Sequence, residues 1–135
     1  TAALADGTLT WCTGPATLAG HTIPTITKAA DEFDRPAPRI IAALPVCVTT
    51  DKVAAAERAA KVFAVYGTLP SYRAMLDREG AAGPADIAIM GSVGEVQDRV
   101  AALANIGVTD FAAVEFGATP EEIANTREAI KGLLK

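Results

Sequence analysis

Apolar and polar positions alternate in two rhythms along this chain, one of period two and one of period three to four. The stretch Asp6-Gly7-Thr8-Leu9-Thr10-Trp11 reads as a turn feeding a short buried strand, Thr8 to Cys12. From Arg39 to Thr49 the apolar character is nearly continuous (Ile40, Ile41, Val46, Val48). Such a run predicts a strand covered on both faces, as parallel strands are. Pro45 lies inside it and cannot donate to a ladder, so a bulge or a locally unpaired position is expected there. Thr109 to Phe116 is a third strand, and Ile87 to Met90 is a brief apolar piece, strand or helical turn.

Helical periodicity fills the intervals. Ala16 to Phe33 carries it with a restart at Pro24, a residue suited to a first turn. Asp34-Arg35-Pro36-Ala37-Pro38 is a rigid connector. Asp51 caps a helix over Lys52 to Tyr66, with Val53, Ala56, Ala60, Phe63 and Ala64 as its apolar stripe and Gly67 as its stop. A short helix over Pro70 to Arg78 is followed by the loop Gly80-Ala81-Ala82-Gly83-Pro84. Ser92 and Glu95 form a capping box ahead of Val96, Val100 and Leu103, and Gly107 ends that helix. Thr119-Pro120-Glu121-Glu122 is a second such box, opening a last helix to Leu134. Strand and helix thus alternate throughout, which demands a parallel sheet with helices outside. The fold class is α/β, a partial barrel spanning residues 1–135 as one domain. Three strong strands do not close a sheet, and bare edges attract partners. A missing N-terminal half or a second copy, as a homodimer, is expected to cover them.

Composition narrows the function. Half of the residues are hydrophobic, 21% are charged and the net charge is -4, which suits a soluble globular chain. The acidic balance, with no Lys/Arg cluster, argues against nucleic acid or an anionic membrane as partner. The longest apolar runs, such as Ile40 to Leu44, are too short to span a bilayer. Cys12 and Cys47 sit in strand-like segments without metal spacing and read as buried, reduced thiols of a cytoplasmic protein.

In βα barrels the chemistry lies at the C-terminal ends of the strands. That rule selects Trp11, Cys12, Thr13 and Gly14 after the first strand, Val48 to Asp51 after the second, and Glu115, Phe116 and Gly117 after the last. Trp11 either walls a flat ring ligand, with Thr13 donating a hydrogen bond to it, or caps the barrel core. Glu115, a carboxylate in an apolar strand, is either a general acid/base or half of an ion pair. His21 has no second His or Cys at ligand spacing and reads as a packing residue. Gly91-Ser92-Val93-Gly94 offers free amides to a phosphate, yet the capping box accounts for it equally. The long segment from Tyr66 to Gly83 suggests a lid or interface in which Tyr72 and Arg73 touch substrate, cofactor or a partner, or only anchor the loop. No nucleophile–base pair and no metal set is present in the sequence.

Several of these residues carry a family likeness. Ala5-Asp6-Gly7, the turn Trp11-Cys12-Thr13-Gly14-Pro15, Ile23-Pro24, Arg35-Pro36, Leu44-Pro45-Val46 and the run from Gly91 to Phe111 resemble the C-terminal part of the luciferase-like monooxygenase superfamily. The likeness is to its deazaflavin (coenzyme F-420)-dependent branch and runs from Ala5 to Leu134. It implies a (β/α)8 barrel, which needs about 250 residues where this chain has 135. It also implies hydride transfer between coenzyme F-420, or alternatively FMN, and a small-molecule substrate, with Trp11 to Gly14 as a cofactor- and substrate-facing loop. The family's main catalytic and ring-binding groups belong to earlier strands, so this chain alone is expected to be inactive. Relatives that oxidise a sugar phosphate hold the phosphate with a Lys where this chain has Pro15, which argues against that substrate. A non-catalytic binding or oligomerisation module and a phosphate-binding α/β domain resting on Gly91-Ser92 are the rival readings.

Overall fold

The computed structural model describes residues 1–134. Its sheet has four strands, β1 (Gly7–Trp11), β2 (Arg39–Val48), β3 (Ile89–Gly91) and β4 (Asp110–Glu115), and every pairing is parallel. β2 is the axis of the sheet. Its even-numbered residues bond towards β4, as when Ile40 and Val46 accept from Thr109 and Phe116. Its odd-numbered residues bond towards β1 and then β3: Ala43 accepts from Cys12, and Thr49 donates to Gly91. β1 ends opposite Ala43 and β3 begins opposite Val46, which leaves Pro45 facing the gap between them. The missing proline N–H therefore falls at the one place along β2 where that side has no strand to receive it. There is no bulge, because the register from Ile41 to Val46 runs unbroken against β4.

The two faces of the sheet differ sharply. Ile40, Ala42, Leu44, Val46 and Val48 point into a layer of helices and are buried with Leu18, Ile26, Leu76, Val96, Val100 and Leu103. Their neighbours Ile41, Ala43 and Cys47 point the other way, towards what would be the inside of a barrel. Near the C-terminal ends of the strands that inner face is roofed by a helix and by Phe63. Lower down it is bare: Leu9 is 62% and Val114 37% exposed. The sheet is thus an open arc of a (β/α) barrel with an apolar inner surface.

The helices are α1 (Pro15–Thr17), α2 (Ile23–Glu32), α3 (Lys52–Val62), α4 (Pro70–Glu79), α5 (Pro84–Ile87), α6 (Val93–Asn105) and α7 (Pro120–Lys131). A π-turn over Leu18–Thr22 joins α1 to α2 and widens the coil just before Pro24, where the ladder lacks a donor. The helix expected from Lys52 to Tyr66 stops at Val62 and tightens into a 3-10 turn, Ala64–Gly67. Phe63 is buried as expected, but the rest of the buried stripe lies one position earlier. Ala55, Ala59 and Phe63 are covered, whereas Val53 is 73% exposed. Small residues on both faces of α3 left the sequence pattern without a clear phase. The Ser92–Glu95 box forms in full. The second box forms by half: Thr119 caps Glu122, but the Glu122 carboxylate reaches Ala118 and groups on other elements instead. Ile87 to Met90 resolves into the end of α5 and the start of β3.

Candidate functional site

Trp11, Phe63, Tyr66, Tyr72 and Phe116 meet at the C-terminal rim of the sheet, an assembly that includes every aromatic residue except Phe33 and Phe111. Trp11 sits at the last position of β1, on the inner face beside Ala43. Phe63 and Tyr66 stand edge-on to its ring, with centroids 5.7 and 5.5 Å away. Tyr72 of α4 packs edge-on against Tyr66 at 5.0 Å, and Phe116 against Phe63 at 5.7 Å. Such edge-to-face pairs add to ordinary burial. The indole Nε1 of Trp11 is buried and has no hydrogen-bond partner among the described residues. An orphaned donor of this kind is costly unless some acceptor meets it.

The chain turns sharply after Trp11. Cys12 adopts a left-handed backbone (φ 52), unusual outside glycine. Its side chain goes to the helix layer and is fully buried. Burial pushes its thiol up to about 12, so it is a neutral S–H and not a nucleophile. Thr13 and Gly14 are buried as well. Gly14 lies directly under the Glu79 carboxyl, which a Cβ at that position would overlap. Glu79 accepts from the amides of Ala16 (3.0 Å) and Thr17 (2.6 Å), and Thr17 Oγ1 donates to the Met75 carbonyl. Of the expected cofactor-facing loop, Trp11 is therefore the residue that presents a ring to the inner face. Cys12 belongs to the core and Gly14 to the contact with α4.

The Cys12 thiol gives a pH-dependent expectation. Its folded-state pKa exceeds its ordinary value, so its contribution is complete below pH 9.0 and is lost as pH climbs towards about 12. Urea unfolding across that window should show a fall in stability that is smaller in a Cys12→Ala chain. Equal falls in the two chains would contradict the burial argument.

A polar network at the other end of the rim was not foreseen from the sequence. Glu122, in the first turn of α7, accepts from the Ala118 amide (2.6 Å) and from Thr49 Oγ1 (2.8 Å), and meets Arg58 of α3 at 3.2 Å. Arg58 also donates to the Phe116 carbonyl (2.8 Å), and its guanidinium lies over the Phe116 ring. The Ala118 amide, and then the Thr49 hydroxyl, hold the Glu122 carboxyl below the usual carboxylate range. The same Arg58 reaches Cys47 Sγ at 3.7 Å, but burial dominates there and pushes that thiol up. The only sequence signal was Glu122 itself, which the capping-box reading had assigned to a local partner.

The remaining candidates fall elsewhere. Glu115 pairs with Val46 and so faces the helices, where Arg127 of α7 grips both its oxygens at 2.9 and 2.7 Å. That ion pair holds its carboxyl below the ordinary range and removes it from the inner face. Arg73 is an anchor of its own loop, bonded to Asp77 and to the carbonyls of Ala81 and Ala82. Tyr72 reaches the aromatic assembly, but through Tyr66. His21 lines a surface dent with Thr1, Thr8 and Thr25, on the helix side of β1. At Gly91-Ser92 the amide of Ser92 already donates to Glu95, whose carboxyl is lowered to about 2 by Lys52 and then by Ser92. No group of three or more metal-binding side chains occurs among the described residues, and no helix among them is long and apolar enough to cross a membrane.

Comparison with known proteins fits this arrangement. An F-420-dependent secondary alcohol dehydrogenase, solved with an F-420–acetone adduct, superposes with a TM-score of 0.76 at 17% identity over 99% of this chain. The coenzyme F-420-dependent tetrahydromethanopterin reductase of Methanopyrus kandleri gives 0.66 at 19% identity over 96%. This chain spans 44% of the length of each. No curated protein sequence matches it. The family model described as luciferase-like monooxygenase matches residues 1–133. The chain belongs to the luciferase-like monooxygenase family.

Proposed function

We propose that the chain serves a coenzyme F-420-dependent oxidoreductase that moves a hydride between the deazaflavin and a small organic substrate. The reading rests on one observation of this molecule: Trp11 presents its ring on the inner face at the C-terminal rim, within a cluster of aromatic rings. Flat ring systems bind against an aromatic surface of this kind. The F-420-dependent enzymes with this fold support the choice of cofactor.

Within this reading the residues divide their work. Trp11 walls the ring, and Thr13 lines the turn beside it. Phe63 and Tyr66 keep water from the indole. Bound deazaflavin supplies the hydride acceptor or donor; the groups here bind, orient and shield. Neither Glu115, paired outward to Arg127, nor Cys12, a neutral thiol, offers proton transfer. On this reading the groups that handle the proton belong to strands outside this chain, and those strands or a second copy cover the bare edges of β1 and β4 and the apolar inner face. The free, buried thiols Cys12 and Cys47 support a reducing, cytoplasmic setting for the reaction.

Titration with coenzyme F-420 and, separately, FMN tests this. Binding of F-420 that weakens by about an order of magnitude in Trp11→Ala, with unchanged helical circular dichroism, is the expected result. Preference for FMN would reassign the cofactor. Binding of neither by the protein would leave a non-catalytic module as the better account. No turnover is expected from the 135-residue chain by itself.

A further inference from the structure

The orientation of Trp11 has an unusual basis. A buried indole is normally fixed by a hydrogen bond from its Nε1, and this one has none among the described residues. Its ring is held by packing alone, against the edges of Phe63 and Tyr66. Tyr66 in turn leans on Tyr72, so one side of the indole depends on where α4 sits.

Helix α4 is anchored at its own loop by Arg73 on the Ala81 and Ala82 carbonyls. Leu76 is its one buried residue. Its C-terminal end is tied to the chain just beyond Trp11 by the two Glu79 oxygens on the Ala16 and Thr17 amides, with the Thr17 hydroxyl on the Met75 carbonyl beside them. Charge-assisted bonds of this type are among the stronger in proteins. The fit is close enough that a Cβ at Gly14 would push the Glu79 carboxyl aside, although the Gly14 backbone (φ -75, ψ 167) suits any residue. Glycine is needed there for Glu79 and not for the turn.

We infer that Glu79 is a positioning residue for the site: it clamps α4 across the turn after β1 and so sets the angle of the Trp11 ring. Its two bonds hold the last turn of α4, Leu76 holds the middle, and Tyr72 transmits the placement through Tyr66. The role towards a cofactor rests on the functional reading above, whereas the effect on Trp11 does not.

Trp11 is the single tryptophan of the chain, so its fluorescence reports the ring directly. In Glu79→Ala the emission should move to longer wavelength and acrylamide quenching should rise, with far-ultraviolet circular dichroism retained. Glu79→Gln, which keeps one acceptor, should lie between. Gly14→Ala should reproduce the shift by displacing the carboxyl, and should add nothing in the Glu79→Ala background, because the two changes break one contact. Affinity for coenzyme F-420 should fall several-fold in both single variants. Unchanged emission and quenching in Glu79→Ala would overturn the inference; should that variant lose its helical signal, the same readings on Glu79→Gln decide. Additive shifts in the double variant would also overturn it. A shifted emission with unaltered F-420 affinity would sink the positioning role. Failure of the parent chain to bind F-420 would strike the functional reading instead and leave the emission result standing.

Discussion

Leu44→Ala should cost about 2–5 kcal/mol of stability, whereas Leu9→Thr on the adjacent strand should cost almost nothing. Leu44 is 1% exposed in the middle of β2, among the helix-facing residues that form the main core. Truncating it loses the transfer free energy of the side chain and opens a void under α6. A pre-existing dent of about 190 Å³, lined by Leu44, Ile87, Ile89 and Leu103, lets neighbours relax, which favours the lower half of that range. Leu9 has the same side chain on the same sheet, but it points to the bare inner face. Its replacement removes exposed apolar surface and should improve solubility. Urea midpoints for the two variants test the assignment of faces. Equal destabilisation would mean that the inner face is covered in the chain as it stands.

This difference between faces marks how far the sequence could be read. Near-continuous apolarity in β2 announced a parallel strand, which holds, and of the bulge or unpaired position announced by its proline the structure has the second. What the pattern cannot supply is which strand lies on which side. Pro45 makes sense only once β1 is seen to stop at Trp11 and β3 to begin at Ile89. Helix starts were legible because Asp51, Ser92 and Thr119 cap by contacts within three residues of themselves. The phase of α3 was not, since alanine on every face gives no contrast between buried and exposed positions.

The site was legible in the same measure. The rule that places chemistry at strand ends selected Trp11, and the structure puts its ring on the inner face. The rule could not tell Cys12 from Trp11. That distinction comes from the left-handed turn at Cys12, which swings the thiol into the helix layer. Nor could it separate the carboxylates. Glu115 drew attention because it interrupts an apolar strand, yet one residue of register decides its face, and it points at Arg127. Glu79 carries no signal in the sequence, and Glu122 reads there only as half of a local capping box. Glu79 proves to accept from the distant amides of Ala16 and Thr17, and Glu122 to join Thr49 and Arg58 besides the nearby Ala118 amide; those distant contacts lie in no local window.

Glu122→Ala should accordingly destabilise the chain by about 2–4 kcal/mol. The side chain is 25% exposed and joins three elements: the Ala118 amide before α7, the Thr49 hydroxyl after β2 and the Arg58 guanidinium on α3. Exposed ion pairs contribute little, and the Arg58 pair alone would not justify the figure. The weight lies in the bonds to Ala118 and Thr49 and in the guanidinium left with fewer partners beside Phe116. Sign follows from the lowered carboxyl: the contribution is whole above its ordinary value of 4.5 and disappears as acid protonates it. The stability gap between Glu122→Ala and the parent should therefore close on acidification, and Glu122→Gln should recover part of it by keeping one acceptor for Ala118. Since Thr49, Arg58 and Phe116 all border the rim that carries Trp11, loosening them should also raise acrylamide quenching of Trp11 through Phe63. A gap that stays constant from neutral to acidic pH would show that Glu122 acts by packing and not by its charge.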